Sequence, residues 1–213
     1  MELSKDYFQK DYYFGKKLSN YFNYNLWDND RYWKSAIDTI KKYKISGRAL
    51  DVGCAFGFFL KRIEKYFNEI HGIDISDYAI ARTKEVAPFA KLQIVDISND
   101  ELKFPDKYFD LITAFDVLEH TRSIESSLGK LAAKLKDDGY LIISVPLRDT
   151  WAGRIFRWFD IDKSHISVPT QEELFGMIDR AGLKVIDGFY FLNIPYFKVR
   201  LILVSIEIVL RKQ

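Results

Sequence analysis

What most constrains this chain is an alternation that begins at Arg48: short apolar runs at residues 49–52, 70–73, 92–95, 111–115 and 141–145, each followed by a stretch with helical spacing. The runs are strand-length and nearly continuous in apolar residues, the pattern of strands buried on both faces. The stretches between them carry helix start and stop signals. Ser76 is placed to cap a helix that fades before Pro88, the stretch 124–136 ends at Asp138-Gly139, and Thr170 with Glu173 forms a capping box for a helix ending at Ala181-Gly182. Strands alternating with helices predict an α/β fold with a doubly wound, mostly parallel, Rossmann-like sheet. In such a sheet a ligand lies beyond the carboxyl ends of the strands, where the strand order reverses. The residues just after each run are therefore the candidates for a site.

Composition narrows the classes. A chain of 213 residues, 48% hydrophobic and 29% charged, reads as one domain with an ordinary core. A formal charge of +2 is too small for a dedicated nucleic-acid binder, so no nucleic-acid partner is expected. The single cysteine, Cys54, excludes an internal disulfide and a thiolate metal cluster, and no metal site is expected. The start of the sequence has no apolar signal region, which predicts a cytoplasmic protein. Residues 199–210 are strongly apolar, but at about half the length of a membrane span and broken by Arg200 and Glu207 they predict none. Their spacing fits a final strand near the sixth at the sheet edge, or a helix that would contact lipid or a partner at a membrane surface.

Two segments depart from the alternating pattern. The first 47 residues hold 12 aromatics, and residues 147–168 contain Trp151, Arg154, Phe156, Arg157, Trp158 and Phe159. The predicted organisation is a helical lid and substrate segment (1–47), a core (48–146), an insertion after strand 5 (147–168), and a carboxyl-terminal helix and strands (169–213).

After the first run stands Asp51-Val52-Gly53-Cys54-Ala55-Phe56-Gly57. Glycines here let the backbone turn tightly and let a ligand approach the main chain. The spacing is neither G-x-G-x-x-G nor the phosphate-cradling G-x-x-x-x-G-K-[ST], which argues against a dinucleotide or a nucleoside triphosphate. Asp74 closes the second run 21 residues after Gly53, where a carboxylate can accept from both hydroxyls of a ribose. Asp96 closes the third and can accept from the amine of adenine, with Ile75 and Ile97 as apolar faces for the ring. Taken singly, the glycines could serve only a turn, Asp74 a helix cap and Asp96 a turn. At successive strand ends they make one adenosine site.

These residues resemble the class I S-adenosylmethionine-dependent methyltransferases, in their small-molecule branch. The matching motifs are Ala49-Leu-Asp-Val-Gly-Cys-Ala-Phe-Gly57, Gly72-Ile-Asp-Ile-Ser76, Ile94-Val-Asp-Ile97 and Phe109-Asp-Leu-Ile-Thr-Ala-Phe-Asp-Val-Leu-Glu-His120, in register from about residue 48 to 185. The resemblance implies S-adenosyl-L-methionine as cofactor and S-adenosyl-L-homocysteine as product. It implies a loop of Asp51, Gly53, Cys54, Ala55 and Gly57 along the methionine part, Asp74 on the ribose, Asp96 at the adenine, and Phe115 beside the cofactor. The family has glycine where this chain has Ala55, so a shifted or looser loop is expected. Arg31 is a candidate partner for the cofactor's carboxylate.

A sulfonium already activates its methyl group, so the protein chiefly aligns the nucleophile, and a base near neutral pKa helps when the acceptor is a hydroxyl or amine. His71 lies inside an apolar run and reads as structural. His120 follows the fourth strand, where it would shape the sulfonium end. His165 falls in the segment that covers the acceptor in the resembling enzymes and is the expected general base. Tyr13, Trp27, Trp151 and Arg154 are the candidate acceptor contacts, weighed against simple core packing. An Asn-Pro-Pro-Tyr type motif would point to amine methylation of nucleic acid or of a protein amide, and Phe115-Asp116-Val117 stands in its place. The expected function is O- or N-methylation of a small-molecule acceptor by a monomer or homodimer. The alternative is a cofactor-binding module acting as a non-catalytic partner or membrane-docking subunit.

Overall fold

One sheet of eight strands organises the chain: β1 (Arg48–Val52), β2 (Glu69–Asp74), β3 (Lys91–Ile94), β4 (Phe109–Phe115), β5 (Leu135–Pro146), β6 (Leu183–Ile194), β7 (Phe197–Arg200) and β8 (Ser205–Lys212). The computed structural model describes residues 5–16, 19, 21–149, 162, 164–194, 197–200 and 204–213. The strand order is β3-β2-β1-β4-β5-β8-β6-β7. The first five strands pair in parallel, whereas β8 runs antiparallel to both β5 and β6, and β7 antiparallel to β6.

Six helices are described: α1 (Lys10–Tyr13), α2 (Asp30–Lys42), α3 (Phe58–Ile63), α4 (Asp77–Val86), α5 (Ile124–Lys134) and α6 (Gln171–Arg180). The pleat sends alternate residues to opposite faces. Ala49, Leu111, Ile142 and Val209 join the core under α2, α3 and α4, while Leu50, Ile112, Leu141 and Ile208 join the core under α5 and α6. The start signals work as the residue types dictate. Ser76 Oγ accepts from the Ala79 N–H at 3.1 Å, and the Thr170–Glu173 capping box is closed in both directions.

Four expectations change. The helix from Ile124 stops at Lys134 because β5 begins at Leu135 and is longer than its apolar run. The third run is an edge strand with Ile94 54% exposed, so it is not covered on both faces. Residues 199–210 form no helix among those described. They hold the end of β7 and most of β8, and β8 lies inside the sheet with its apolar residues shared between both faces. Among the described residues the amino-terminal segment is helical only in α1, α2 and a 3-10 turn at Tyr24–Trp27, and its rings pack on one another and onto Phe56 and Phe58.

A buried ion pair ties the last strands to α2. Lys198 on β7 pairs with Glu207 on β8, both side chains 5% exposed or less, and Ser35 Oγ on α2 donates to Glu207 at 3.2 Å. The Lys198 ammonium also lies 4.9 Å from the centre of the Tyr32 ring and 5.3 Å from that of Phe115. Removing one partner of a buried pair leaves the other charge uncompensated, at about 3–5 kcal/mol. Lys198→Met is therefore expected to lower unfolding stability by about that amount, with chemical denaturation as the measurement. A change under about 1 kcal/mol would show that the pair is already solvated.

Candidate active site

The strand order reverses at β1, which has β2 on one side and β4 on the other. A cleft opens there at the carboxyl ends of the strands. The turn after β1 is built to leave room: the Gly53 and Cys54 N–H groups both donate to the Ile73 carbonyl, at 2.8 and 3.0 Å. Gly53 has φ +69°, and a Cβ there would fall 2.2 Å from Val117 Cγ2. Only glycine meets both conditions.

Asp74, at the end of β2, is the anchor of the cleft. Its Oδ2 accepts the Ala55 N–H and its Oδ1 the Ser76 N–H, each at 2.9 Å. Burial raises its pKa to about 6 against the pull of those N–H donors. Asp74 still lines the cleft, and a carboxylate oxygen that accepts one hydrogen bond has a further lone pair to offer. Ala55 does not loosen the loop. It takes the left-handed conformation, φ +47°, at a cost of about 1–2 kcal/mol, and is held by Asp74 and by the Thr83 hydroxyl donating to its carbonyl at 2.6 Å.

Of the sequence candidates, Gly53, Ala55, Asp74, Ile75, Asp96, Ile97 and Phe115 line this one cleft. Asp96 also closes its own turn, accepting from the Ser98 N–H and from Asn99 Nδ2. Other candidates fall outside. Asp51 lies on the strand face opposite to Leu50 and Val52 and accepts from Thr113 Oγ1 at 2.6 Å; burial raises its pKa to about 7. Cys54 is buried against Thr83 and Gly72, and Gly57 turns the chain into α3 against Thr83, where a Cβ would clash. Arg31 sits exposed on α2 in a separate surface groove with Lys34 and Arg62, so it is not placed to pair with a ligand in the cleft.

Of the expected acceptor contacts, Tyr13 lines the cleft, whereas Trp27 packs in the core, stacked on Tyr24 with ring centres 5.6 Å apart. Trp151 and Arg154 lie outside the described residues. Phe8, Tyr12, Tyr21 and Tyr24 also reach the cleft, and their local sequence distinguishes them in no way from their aromatic neighbours. Asp116 reaches it too, in a left-handed conformation with φ +53°; its carboxylate accepts from the Ser144 hydroxyl at 2.8 Å and the Tyr32 hydroxyl at 3.4 Å. Strain of this kind, over-determined by its surroundings, concentrates at functional sites.

His120 lines the same cleft, and its Nδ1–H donates to the Ser164 carbonyl at 3.0 Å. Burial, then the neighbouring His165, pushes its pKa well below the usual histidine range. His165 packs against it with ring centres 5.0 Å apart and is not among the residues that line the cleft. The loop that carries His165 is pinned because the Glu119 carbonyl accepts the N–H groups of Ile166 and Ser167, each at 3.0 Å. Glu119 itself was no sequence candidate. It is buried, and burial, then Asp116, raises its pKa to about 8. His71 is a strand residue bonded to Glu69 at 2.7 Å, as its position in the run predicts.

A family model described as a methyltransferase domain matches residues 26–187. An uncharacterised protein of Methanocaldococcus jannaschii is 29% identical over 138 residues, covering 62% of each chain. A ubiquinone biosynthesis O-methyltransferase of Rhodopseudomonas palustris is 30% identical over 106 residues, 49% of this chain and 41% of that one. The chain thus spans less than two thirds of the length of these curated relatives. Among solved structures, a SAM-dependent methyltransferase of Thermotoga maritima, described as a possible histamine N-methyltransferase, superposes with a TM-score of 0.70 at 17% identity, over 89% of this chain and 93% of that one. The family model covers most of the sequence, and the alternating strands, reversed strand order and cleft agree with it: the chain belongs to the methyltransferase-domain family.

Proposed function

We propose that this enzyme methylates a hydroxyl or amine of a small molecule, with the cofactor over the ends of β1 to β4 and the acceptor between the aromatic amino-terminal segment and His120. One observation carries the reading: a single cleft has a buried carboxylate, Asp74, among its walls and the rings of Phe8, Tyr12 and His120 as well. The residues fit the cofactor. Asp74 offers acceptor lone pairs to a ribose, Ile75 and Ile97 offer faces to an adenine, Asp96 an acceptor for its amine, and the bare Gly53 backbone room for the amino-acid part. When bound, the cofactor supplies a methyl group activated by a sulfonium, whose charge the aromatic rings favour. Residues 48–146 then serve the cofactor, and residues 1–47 and 147–168 the acceptor. The name of the Rhodopseudomonas palustris relative supports an oxygen acceptor.

The protein's own contribution is placement. The aromatic wall excludes water and orients the acceptor, and the His120–His165 pair activates it at the end of the cleft. The screen that tests this offers labelled cofactor with hydroxylated and aminated small molecules, with protein and nucleic acid as controls. Transfer to a small molecule is the expected result, and transfer to macromolecules alone overturns the reading.

Cofactor recognition gives two further expectations. S-adenosylmethionine and S-adenosylhomocysteine should raise the melting temperature while NAD and ATP do not, since only ligands of the native state stabilise it. Asp74→Asn should weaken S-adenosylhomocysteine binding by about 1.5–3 kcal/mol, as for hydrogen bonds to a charged group. Because the carboxylate form is the acceptor and its pKa is raised to about 6, wild-type affinity should hold above pH 6. It should then fall up to about tenfold per unit as Asp74 takes a proton below it. Calorimetry across pH 5–8 reads this, and a wild-type profile as flat as that of Asp74→Asn would remove Asp74 from the ribose.

At the other end, His120→Ala should leave S-adenosylhomocysteine affinity within about threefold and depress turnover about 10²–10⁴-fold, the span of acid–base and related activation of an acceptor. Turnover kinetics on the acceptor found in the screen decide it. A variant as fast as wild type would reduce the pair to scaffolding.

A further inference from the structure

We propose that Glu119, His120 and His165 bind a divalent transition-metal cation at the acceptor end of the cleft, and that the acceptor is a hydroxyl compound whose oxygen completes the cation's coordination. The inference deepens the proposed function and rests on it: it names how the histidine pair activates the acceptor, and it chooses oxygen over nitrogen.

Three observations converge. One ligand atom from each of the three side chains can be chosen so that all lie within 4.8 Å of one another, although His165 is 45 residues from His120 in sequence. Glu119 is 1% exposed, yet its Oε2 has no hydrogen-bond partner among the described residues. A buried carboxyl oxygen without a partner costs about 1–3 kcal/mol, and a cation that takes the place of the acid's proton removes that cost. The third is the orientation of His120. Its Nδ1–H is committed to the Ser164 carbonyl, which sets the tautomer and leaves Nε2 as the lone-pair donor. A backbone carbonyl on the far nitrogen is the usual partner of a metal-bound imidazole.

The surroundings hold this arrangement. Ser164 donates from both its N–H and its hydroxyl to Asp162, whose other oxygen accepts the Tyr12 hydroxyl at 3.1 Å. The Ile166 and Ser167 N–H groups close on the Glu119 carbonyl. The loop bearing His165 is thus fixed from both sides against the turn that bears the other two donors. Binding requires the donors to draw in by roughly 1 Å to reach metal contacts of about 2.0–2.2 Å.

Two imidazoles and one carboxylate suit zinc or another first-row divalent ion, and such a set leaves coordination positions open. His120 lines the cleft, which brings the cation's site to the cleft wall beside the acceptor. A hydroxyl ligated there has its pKa lowered and loses its proton to water. The resulting oxygen nucleophile forms the new carbon–oxygen bond as the methyl–sulfur bond breaks, its electron pair going to sulfur to leave a neutral thioether. An amine ligated in the same way would have its lone pair tied to the cation, which is why the site favours oxygen.

The test uses the full, untagged chain and Zn²⁺ alone, followed by calorimetry and by metal analysis after dialysis. Wild type is expected to bind one zinc per chain. Glu119→Gln and His165→Ala should each weaken zinc binding at least tenfold, the scale for a lost ligand or its support, while keeping the thermal shift with S-adenosylhomocysteine that shows an intact fold. Chelation should slow methylation of a hydroxyl acceptor, and zinc should restore it. A wild type that binds no zinc, or variants that bind it as tightly as wild type, would overturn the inference. If such a chain still methylates hydroxyl compounds, the proposed function stands without the metal; if it methylates only macromolecules, both fall.

Discussion

The carboxylate of Asp74 joins two loops that the sequence keeps 21 residues apart: through Ala55 it holds the turn after β1, and through Ser76 it holds the start of α4. Everything on that side of the cleft depends on this junction. The Gly53 amide ties the turn to the end of β2, and two hydrogen bonds hold Ala55 in its left-handed conformation against the strain. The same burial that makes these bonds strong raises the pKa of Asp74, so the group that anchors the cleft is also sensitive to mild acid.

The opposite wall is made differently. Instead of charged anchors, the amino-terminal segment brings a cluster of rings in edge and stacked contact, running from Phe8 through Tyr12, Tyr21 and Tyr24 to Phe56 and Phe58. Such pairs add about 0.5–1.5 kcal/mol each beyond burial, enough to hold a segment that has little regular structure. The cluster serves packing and site at once. Tyr12 is core by burial, yet it borders the cleft and orders Asp162, and through Ser164 it helps to set the ring of His120.

The carboxyl-terminal strands complete this wall from behind. β8 reverses direction between β5 and β6, and its Glu207 meets Lys198 in a buried pair whose ammonium lies against Tyr32 and Phe115. Tyr32 bonds Asp116 and Phe115 lines the cleft, so an ion pair outside the site fixes two of its borders.

Much of the fold was legible locally. The buried runs, the serine cap at Ser76 and the capping box at Thr170 are written in a few consecutive residues, because strand burial and helix capping are short-range physics. The same holds for Asp74, Asp96, Ile75 and Ile97, which follow their strands and so had to reach the switch point. What the sequence could not carry is direction and long-range company. Asp51 and Cys54 belong to the right motif but point away from the cleft, Asp51 to Thr113 on the neighbouring strand and Cys54 to Thr83 on α4, partners that only the assembled sheet and helix bring there. Arg31 has a suitable charge on the wrong side of α2. Glu119, Asp116 and the tyrosines other than Tyr13 enter the site through partners dozens of residues away, and Val199 and Leu210 end in two different strands because β8 pairs inside the sheet. The sequence by itself determined the parallel core and the end of it at which the cleft opens. Only the tertiary structure decided which side chains meet there, because contacts closed by a loop such as 162–167 depend on backbone hydrogen bonds to Glu119 that no local pattern encodes.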